Sequence, residues 1–442
     1  MKDTEGQPIA DPFGQPGFPG FDGMLAKVSL GYVAQMQEAG VPVTYAYISD
    51  AHDNHTLVRA SGPGEADYQA QLQAYDQAFG AFFDRLKAHG IDKHNTLFVF
   101  TVDENDHFAG GDSADGTWSH TFCNLSVPAP SCPPNQIGEV NANLAALLPA
   151  GEPPFLVHSD SAPTVYVTGR PQRTDPALRK LERDVAAAQA IDPYISSAPT
   201  PITRFLVDPV AEQTLHMVNA DPRRTPTFTL FANPDYFLST FNCPAAGGGG
   251  PICIDYHFAW SHGDATDDIG RIWLGLVGPG VRKLGQTSRI WADHTDVRPT
   301  MLALLGLKDS YQQDGRVMTQ ALRGDAVPAG LRRHQGSLTV LGAVYKQITA
   351  PFGAFGHDAL VASTRALASG SATDDSAYTA TEARIAALTQ RRDALATQIR
   401  TLLHDAAFGR GWGDRIDERQ VRRLILQGVV LLADGRGLAA HG

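Results

Sequence analysis

Between residues 97 and 111 the chain reads LFVFTVDENDHFAGG, an apolar and β-branched run that ends in Asp103, Glu104, Asp106 and His107. A second mixture of these types, SDAHDNH, places Asp50, His52, Asp53 and His55 after the apolar stretch VPVTYAYIS. A third, YHFAWSHGDATDD, supplies His257, His262, Asp264, Asp267 and Asp268 ahead of RIWLGLV. Carboxylates crowded together raise one another's pKa unless a cation offsets them. Imidazole and carboxylate donors suit zinc and related divalent ions. Two such ions ~3.5–4 Å apart can hold both the attacking and the leaving oxygen of a phosphoryl displacement. Each cluster alone reads equally well as a solvated turn with Asp capping nearby backbone. Three of them beside apolar runs point to a metal site.

The elements that would position these groups follow from periodicity. Leu72, Tyr75, Phe79, Phe82, Phe83 and Leu86 recur at three and four, which predicts an amphipathic helix over 66–89 stopped by Gly90. VPVTYAYIS before it and NTLFVFTV after it read as strands. Strand, helix and strand in this order predict a right-handed parallel unit, with Asp50 and Asp103 neighbours at the carboxyl ends of adjacent strands. APTVYVTG, TPTFTLF and RIWLGLVGPGV read as further strands, with a helical segment near 176–190. HTDVRPTMLALLGL opens a helix, with Asp296 near its cap and Pro299 in the first turn. Residues 1–23, dense in Gly and Pro, predict a leader loop, and residues 24–325 the core of an α/β fold with a largely parallel central sheet. Residues 326–442, with Ile385, Leu388, Leu395, Ile399 and Leu402 in one stripe, predict a helical appendage that offers a surface for self-association.

Composition narrows the function classes. The 442 residues are 43% hydrophobic, enough for a large core, and 36 basic against 47 acidic side chains leave a formal charge of −11. An acidic chain lacks the basic face that a phosphate backbone requires, so a small substrate is expected rather than a nucleic acid. No stretch has the ~18 consecutive apolar residues of a membrane span. The four cysteines form two local pairs, Cys123/Cys132 and Cys243/Cys253, each around a Pro- or Gly-rich loop. That spacing is not the CxxC of zinc or thioredoxin-type sites and reads as two disulfides, hence a periplasmic or extracellular protein.

Taken in order, TYAYISDAHDNH, FTVDENDHF, His262-Gly263, GPGV at 278–281 and DHTDVRPTMLALLGL resemble the alkaline phosphatase superfamily, particularly its phosphodiesterase and phosphoesterase branches, over roughly residues 40–310. The resemblance implies a three-layer α/β sandwich that uses two divalent ions, zinc first, to hydrolyse a small phosphate ester. It implies that Asp50, a histidine of its loop and His262 hold one ion, and that Asp103 and Glu104 help hold the other. Asn54 stands where the family has His, so His52 and His55 are both candidates, with His55 favoured. Glu104 stands where many relatives have His, which makes the second site harder and open to manganese or another divalent ion, with His107 as a substitute ligand.

The family's first strand, with its bridging Asp, and its Thr or Ser nucleophile have no counterpart in residues 1–40. Asp22, in FPGFDGM, follows no strand. The resemblance therefore implies the C-terminal part of a longer enzyme, poorly active as it stands, whose catalytic nucleophile lies elsewhere. A sulfatase-like hydrolase ranks lower, because the Cys/Ser-x-Pro-x-Arg motif is absent. The rival from another class is a non-catalytic, metal-stabilised exported binding protein.

Overall fold

A computed structural model describes residues 1–10, 15–17, 25–49, 62, 66–109, 138–243, 249–255, 258–371, 374–409 and 415–441. In chain order they form α1 (Ala26–Glu38), α2 (Ala66–Ala88), β1 (Phe98–Thr101), β2 (His107–Phe108), β3 (Glu139–Asn143), α3 (Leu144–Leu147), β4 (Phe155–His158), β5 (Thr164–Val167), α4 (Pro176–Ala186), β6 (Gln189–Ala190), β7 (Thr200–Pro201), β8 (Thr203–Val207) and α5 (Pro209–Thr214). There follow β9 (Phe228–Ala232), β10 (Tyr236–Ser239), β11 (Ile252–Asp255), β12 (Trp260–Ser261), α6 (Asp267–Gly270), β13 (Leu274–Val277), α7 (Val297–Leu304), α8 (Ala329–Arg333), α9 (Gln335–Thr349), α10 (Ala354–Ser369), α11 (Ser376–Phe408) and α12 (Glu418–His441). The fold is mixed α/β. It divides into two compact units, one of residues 1–143, 190–200 and 233–278, the other of 144–189, 201–232 and 279–442.

In the first unit α1 packs along α2, and the apolar faces of both meet β1. Leu30, Ala34, Phe82, Leu86 and Phe98 form one buried cluster, in which a side chain such as Phe82 contributes about 1.5–3 kcal/mol. Gly31 has no room for a side chain: a Cβ there would stand 2.6 Å from the Cα of Asp3, so the leader segment lies directly on α1. Gly90, at φ +73°, ends α2 where its stripe stops. β1 pairs with β13 antiparallel, from Phe98 opposite Val277 to Thr101 opposite Leu274. β3 is flanked by β10 in parallel and by β11 antiparallel, and the Cys243–Cys253 disulfide ties the end of that β10 segment to β11. Cys123 and Cys132 lie outside the described residues.

Two expectations change here. VPVTYAYIS belongs to no strand, and Tyr45 within it is 92% exposed. A strand needs a ladder partner, and β1 takes β13 rather than residues 41–49, while Pro42 has no N–H to donate. The parallel unit around α2 is therefore not formed. The sheets are small, and β3–β10 is parallel whereas the β1–β13, β2–β12, β3–β11, β4–β5, β5–β9 and β8–β9 pairings are antiparallel. A large parallel sheet is not among the described elements.

The second unit holds a four-stranded sheet in the order β4-β5-β9-β8 and the long helices α9–α12. Asp-Pro pairs start its short helices. Asp175 accepts from the Ala177 N–H at 2.8 Å, and Asp208 accepts from Val210 and Ala211 at 2.8 Å each, with Pro in the first helical position both times. Burying Arg173 and Arg179 demands counter-charges, and the chain supplies them from distant elements. Arg173 donates to Glu182 at 2.5 Å, to Glu382 at 2.6 Å and to the Tyr378 hydroxyl at 2.6 Å; Arg179 bonds Glu382, and Tyr378 donates to Asp208 at 2.6 Å. On α12, Val421, Leu424, Leu431 and Leu438 face inward, and Gly428 lets α9 approach, since a Cβ there would stand 2.3 Å from Val344. No described helix is long and apolar enough to cross a membrane.

Candidate functional site

Two of the three charged clusters meet because of a two-residue ladder. β2 pairs antiparallel with β12, with Trp260 opposite Phe108 and Ser261 opposite His107. The next pair outward along that register is Asp106 and His262, and their Oδ1 and Nδ1 stand 3.3 Å apart. Glu104 reaches the other side of the same ring, with Oε1 3.8 Å from His262 Nε2. Rings hold the ladder: Phe108 lies 4.8 Å from Trp260, which also stacks on Tyr68 at 5.7 Å. The turn between β1 and β2 is fixed by α6 and the residues between it and β13. Thr101 Oγ1 donates to the Trp273 carbonyl at 2.8 Å, the Asn105 N–H to Ile269 at 3.2 Å and its side-chain amide to Arg271 at 2.8 Å. Asp103 is exposed in this turn, where it accepts from the Glu104 N–H at 3.2 Å. With the His262 side chain 53% and that of Glu104 46% exposed, these donors face solvent.

Beneath them His107 is buried between two carboxylates. Its Nδ1 stands 2.7 Å from Asp268 Oδ2 and its Nε2 3.1 Å from Asp235 Oδ1. Burial favours the neutral ring, but the hydrogen bonds to Asp235 and Asp268 outweigh it, and the His107 pKa is pushed up to about 10. The imidazolium returns the favour: although burial works against the charge, its hydrogen bond holds Asp268 below the usual carboxylate range. Asp235 sits in the turn between β9 and β10 at φ +78°, a left-handed conformation that a non-glycine residue adopts at a cost. Asp192, fully buried, is pushed up to about 7 by burial and by the Asp235 charge, and its Oδ1 accepts from the Tyr194 N–H at 2.9 Å. Asp264 is also buried and raised by that burial; it accepts from the Thr266 N–H at 2.9 Å.

His107, read from the sequence as a substitute ligand, lies below the surface donors with both ring nitrogens at hydrogen-bond distance from carboxylates. His107 is a buried strut that joins β2, the β9–β10 turn and α6. Asp235 and Asp192 escaped the sequence reading. Their signals, NPDYF and IDPY, are those of ordinary turns, and nothing local marks either carboxylate as buried.

Asp50, His52, Asp53, His55 and His257 lie outside the described residues. Among the described residues no group of three or more His, Cys, Asp or Glu side chains is placed to hold a metal ion. The donors that do stand together at the surface, Glu104, Asp106 and His262 with Asp103 beside them, are the hard oxygen and borderline nitrogen types that suit zinc or manganese. No protein-family model matches the chain, and no curated protein matches it.

Two hydroxyls flank the donors. Thr101 is exposed and keeps its oxygen lone pairs while it donates to the Trp273 carbonyl, whereas Ser261, in β12 opposite His107, is shielded from solvent.

Proposed function

We propose that this protein is a metal-dependent hydrolase of small phosphate esters, exported to an oxidising compartment, on a frame of the alkaline-phosphatase type. The observation that carries the reading is the β2–β12 register, which turns two distant acidic and imidazole clusters into one solvent-facing group. The disulfide between Cys243 and Cys253 supports export. In this reading His262, Glu104 and Asp103 hold a divalent ion, with Asp106 orienting the His262 ring through Nδ1, and Asp50 with His52 or His55 complete the ligand set. A bound ion supplies Lewis-acid polarisation of the phosphoryl oxygens and lowers the pKa of a coordinated nucleophile. The chain's own part is to hold the donors in register. His107 locks β2 to α6 and to the β9–β10 turn, and the Asn105 amide pins the donor turn to Arg271.

Elemental analysis of the purified protein, followed by hydrolysis of aryl phosphate mono- and diesters with and without zinc or manganese, tests the proposal. Bound metal and turnover that both fall at least tenfold in Glu104→Gln and His262→Ala are expected, given that an oriented ligand is worth ~1.4 kcal/mol or more. Protein that binds no stoichiometric metal and turns over no ester refutes it. Metal without turnover favours the second reading, a metal-stabilised exported binding protein.

A further inference from the structure

α12 is apolar on two faces. Its inner face, Val421, Leu424, Leu431 and Leu438, is buried. At 100° per residue, Leu426, Val430, Ala433 and Gly437 point the opposite way, with Val429 beside them. Leu426 is 64% exposed, Val429 48% and Val430 45%, and Ala433 is exposed as well. Single exposed apolar residues are ordinary, but a contiguous stripe of them marks a face that a partner covers. On one flank the stripe has ends of opposite sign, Arg423 before it and Asp434 near its far end, while exposed Arg436 lies on the other flank. Arg419, Arg422 and Arg423 are exposed one to two turns before it, and Asp434 is exposed near its far end, where it also pairs with Arg391 at 2.9 Å.

We infer that α12 is the interface of a homodimer, in which the outer faces of two copies pack antiparallel about a twofold axis beside the Gly428–Val429 peptide. That register sets Arg423 level with Asp434 of the second copy, on the same flank of the helix pair, and does so twice by symmetry. Leu426 then meets Val430 and Ala433 of the second copy, and the small side chains at 433 and 437 let the helices approach; Gly437 has open space where a Cβ would stand. Antiparallel packing also brings each helix's positive N-terminal end to the other's negative C-terminal end. A parallel pair would instead stack the three arginines against their copies. The face is small beside a standard interface of ~800 Å² per partner, so association in the micromolar range is expected.

Sedimentation velocity of the full chain across a concentration series reads this directly. Wild type should pass from monomer to dimer, and Val430→Glu should remain monomeric while its circular dichroism stays that of wild type, since the side chain is already at the surface. Arg423→Glu and Asp434→Arg should each weaken the dimer at least tenfold, and the double variant should restore it. A wild type that is monomeric up to about 0.1 mM, a dimer indifferent to Val430→Glu, or a charge swap that restores nothing overturns the inference.

Discussion

Replacing His107 by Gln removes a buried cation from between Asp235 and Asp268 while leaving a polar side chain of similar size. The distance from the ordinary imidazole value of 6.5 to about 10, at ~1.36 kcal/mol per pH unit, sets a ceiling of about 5 kcal/mol on what the charged ring contributes. Breaking a buried ion pair by removing one partner costs about 3–5 kcal/mol by an independent route, so the two agree. Because the folded pKa lies above the unfolded one, the contribution is complete below pH 6.5 and is lost as the pH rises towards 10. The deficit of His107→Gln should therefore be about 3–5 kcal/mol at pH 6, shrink by ~1.4 kcal/mol per pH unit above 6.5, and stand near ~1 kcal/mol at pH 9. Urea denaturation followed by tryptophan fluorescence measures it, with Trp260 a local reporter 4.8 Å from Phe108 on the ladder that His107 anchors. An equal deficit at pH 6 and pH 9 would show that His107 is neutral in the folded protein and refute the strut.

Glu212, buried beside Asp208 and Glu182, is pushed up to about 8, chiefly by burial, so the wild type loses stability as pH rises from 4.5 towards 8. Glu212→Gln, which can keep the 3.0 Å bond from Thr229, should be the more stable protein at pH 8 by about 1–3 kcal/mol, read as a higher urea midpoint. Lys346 is 1% exposed and donates to Asp293 and Thr295 at 2.8 Å each, next to fully buried Asp296. Lys346→Met should cost about 3 kcal/mol by leaving those carboxylates short of a cation; a change in calorimetric Tm of less than a degree or two would count against it.

What the sequence made legible was local. The stripe from Leu72 to Leu86 and the stop at Gly90 describe α2 to within a residue. Asp296 and Pro299 do begin α7, β1, β5 and β13 fall inside the runs read as strands, and β9 overruns its own by one residue. Partner choice was not legible. The pairing of β1 with β13 joins residues more than 170 positions apart, and no periodicity in VPVTYAYIS says that it will be left out of the ladder. The site divides in the same way. The grouping of residue types marked the clusters that hold Glu104, Asp106 and His262, but their meeting depends on the β2–β12 register, and the burial of His107 on Asp235, 128 residues later in a turn without a motif. A histidine beside carboxylates reads alike as a ligand and as an ion-pair partner until its depth is known.

The interleaving of the two units bears on how the protein is made. The chain passes between them at 143/144, 189/190, 200/201, 232/233 and 278/279. His107 leaves the ribosome 161 residues before Asp268, an interval of roughly 10–30 s at ordinary elongation rates. For nearly all of it β2 has no β12, and β1 gains β13 only after it. The first unit is therefore completed only after all four strands of the second unit's sheet have been synthesised, and β1 and β2 remain unpaired edges until then.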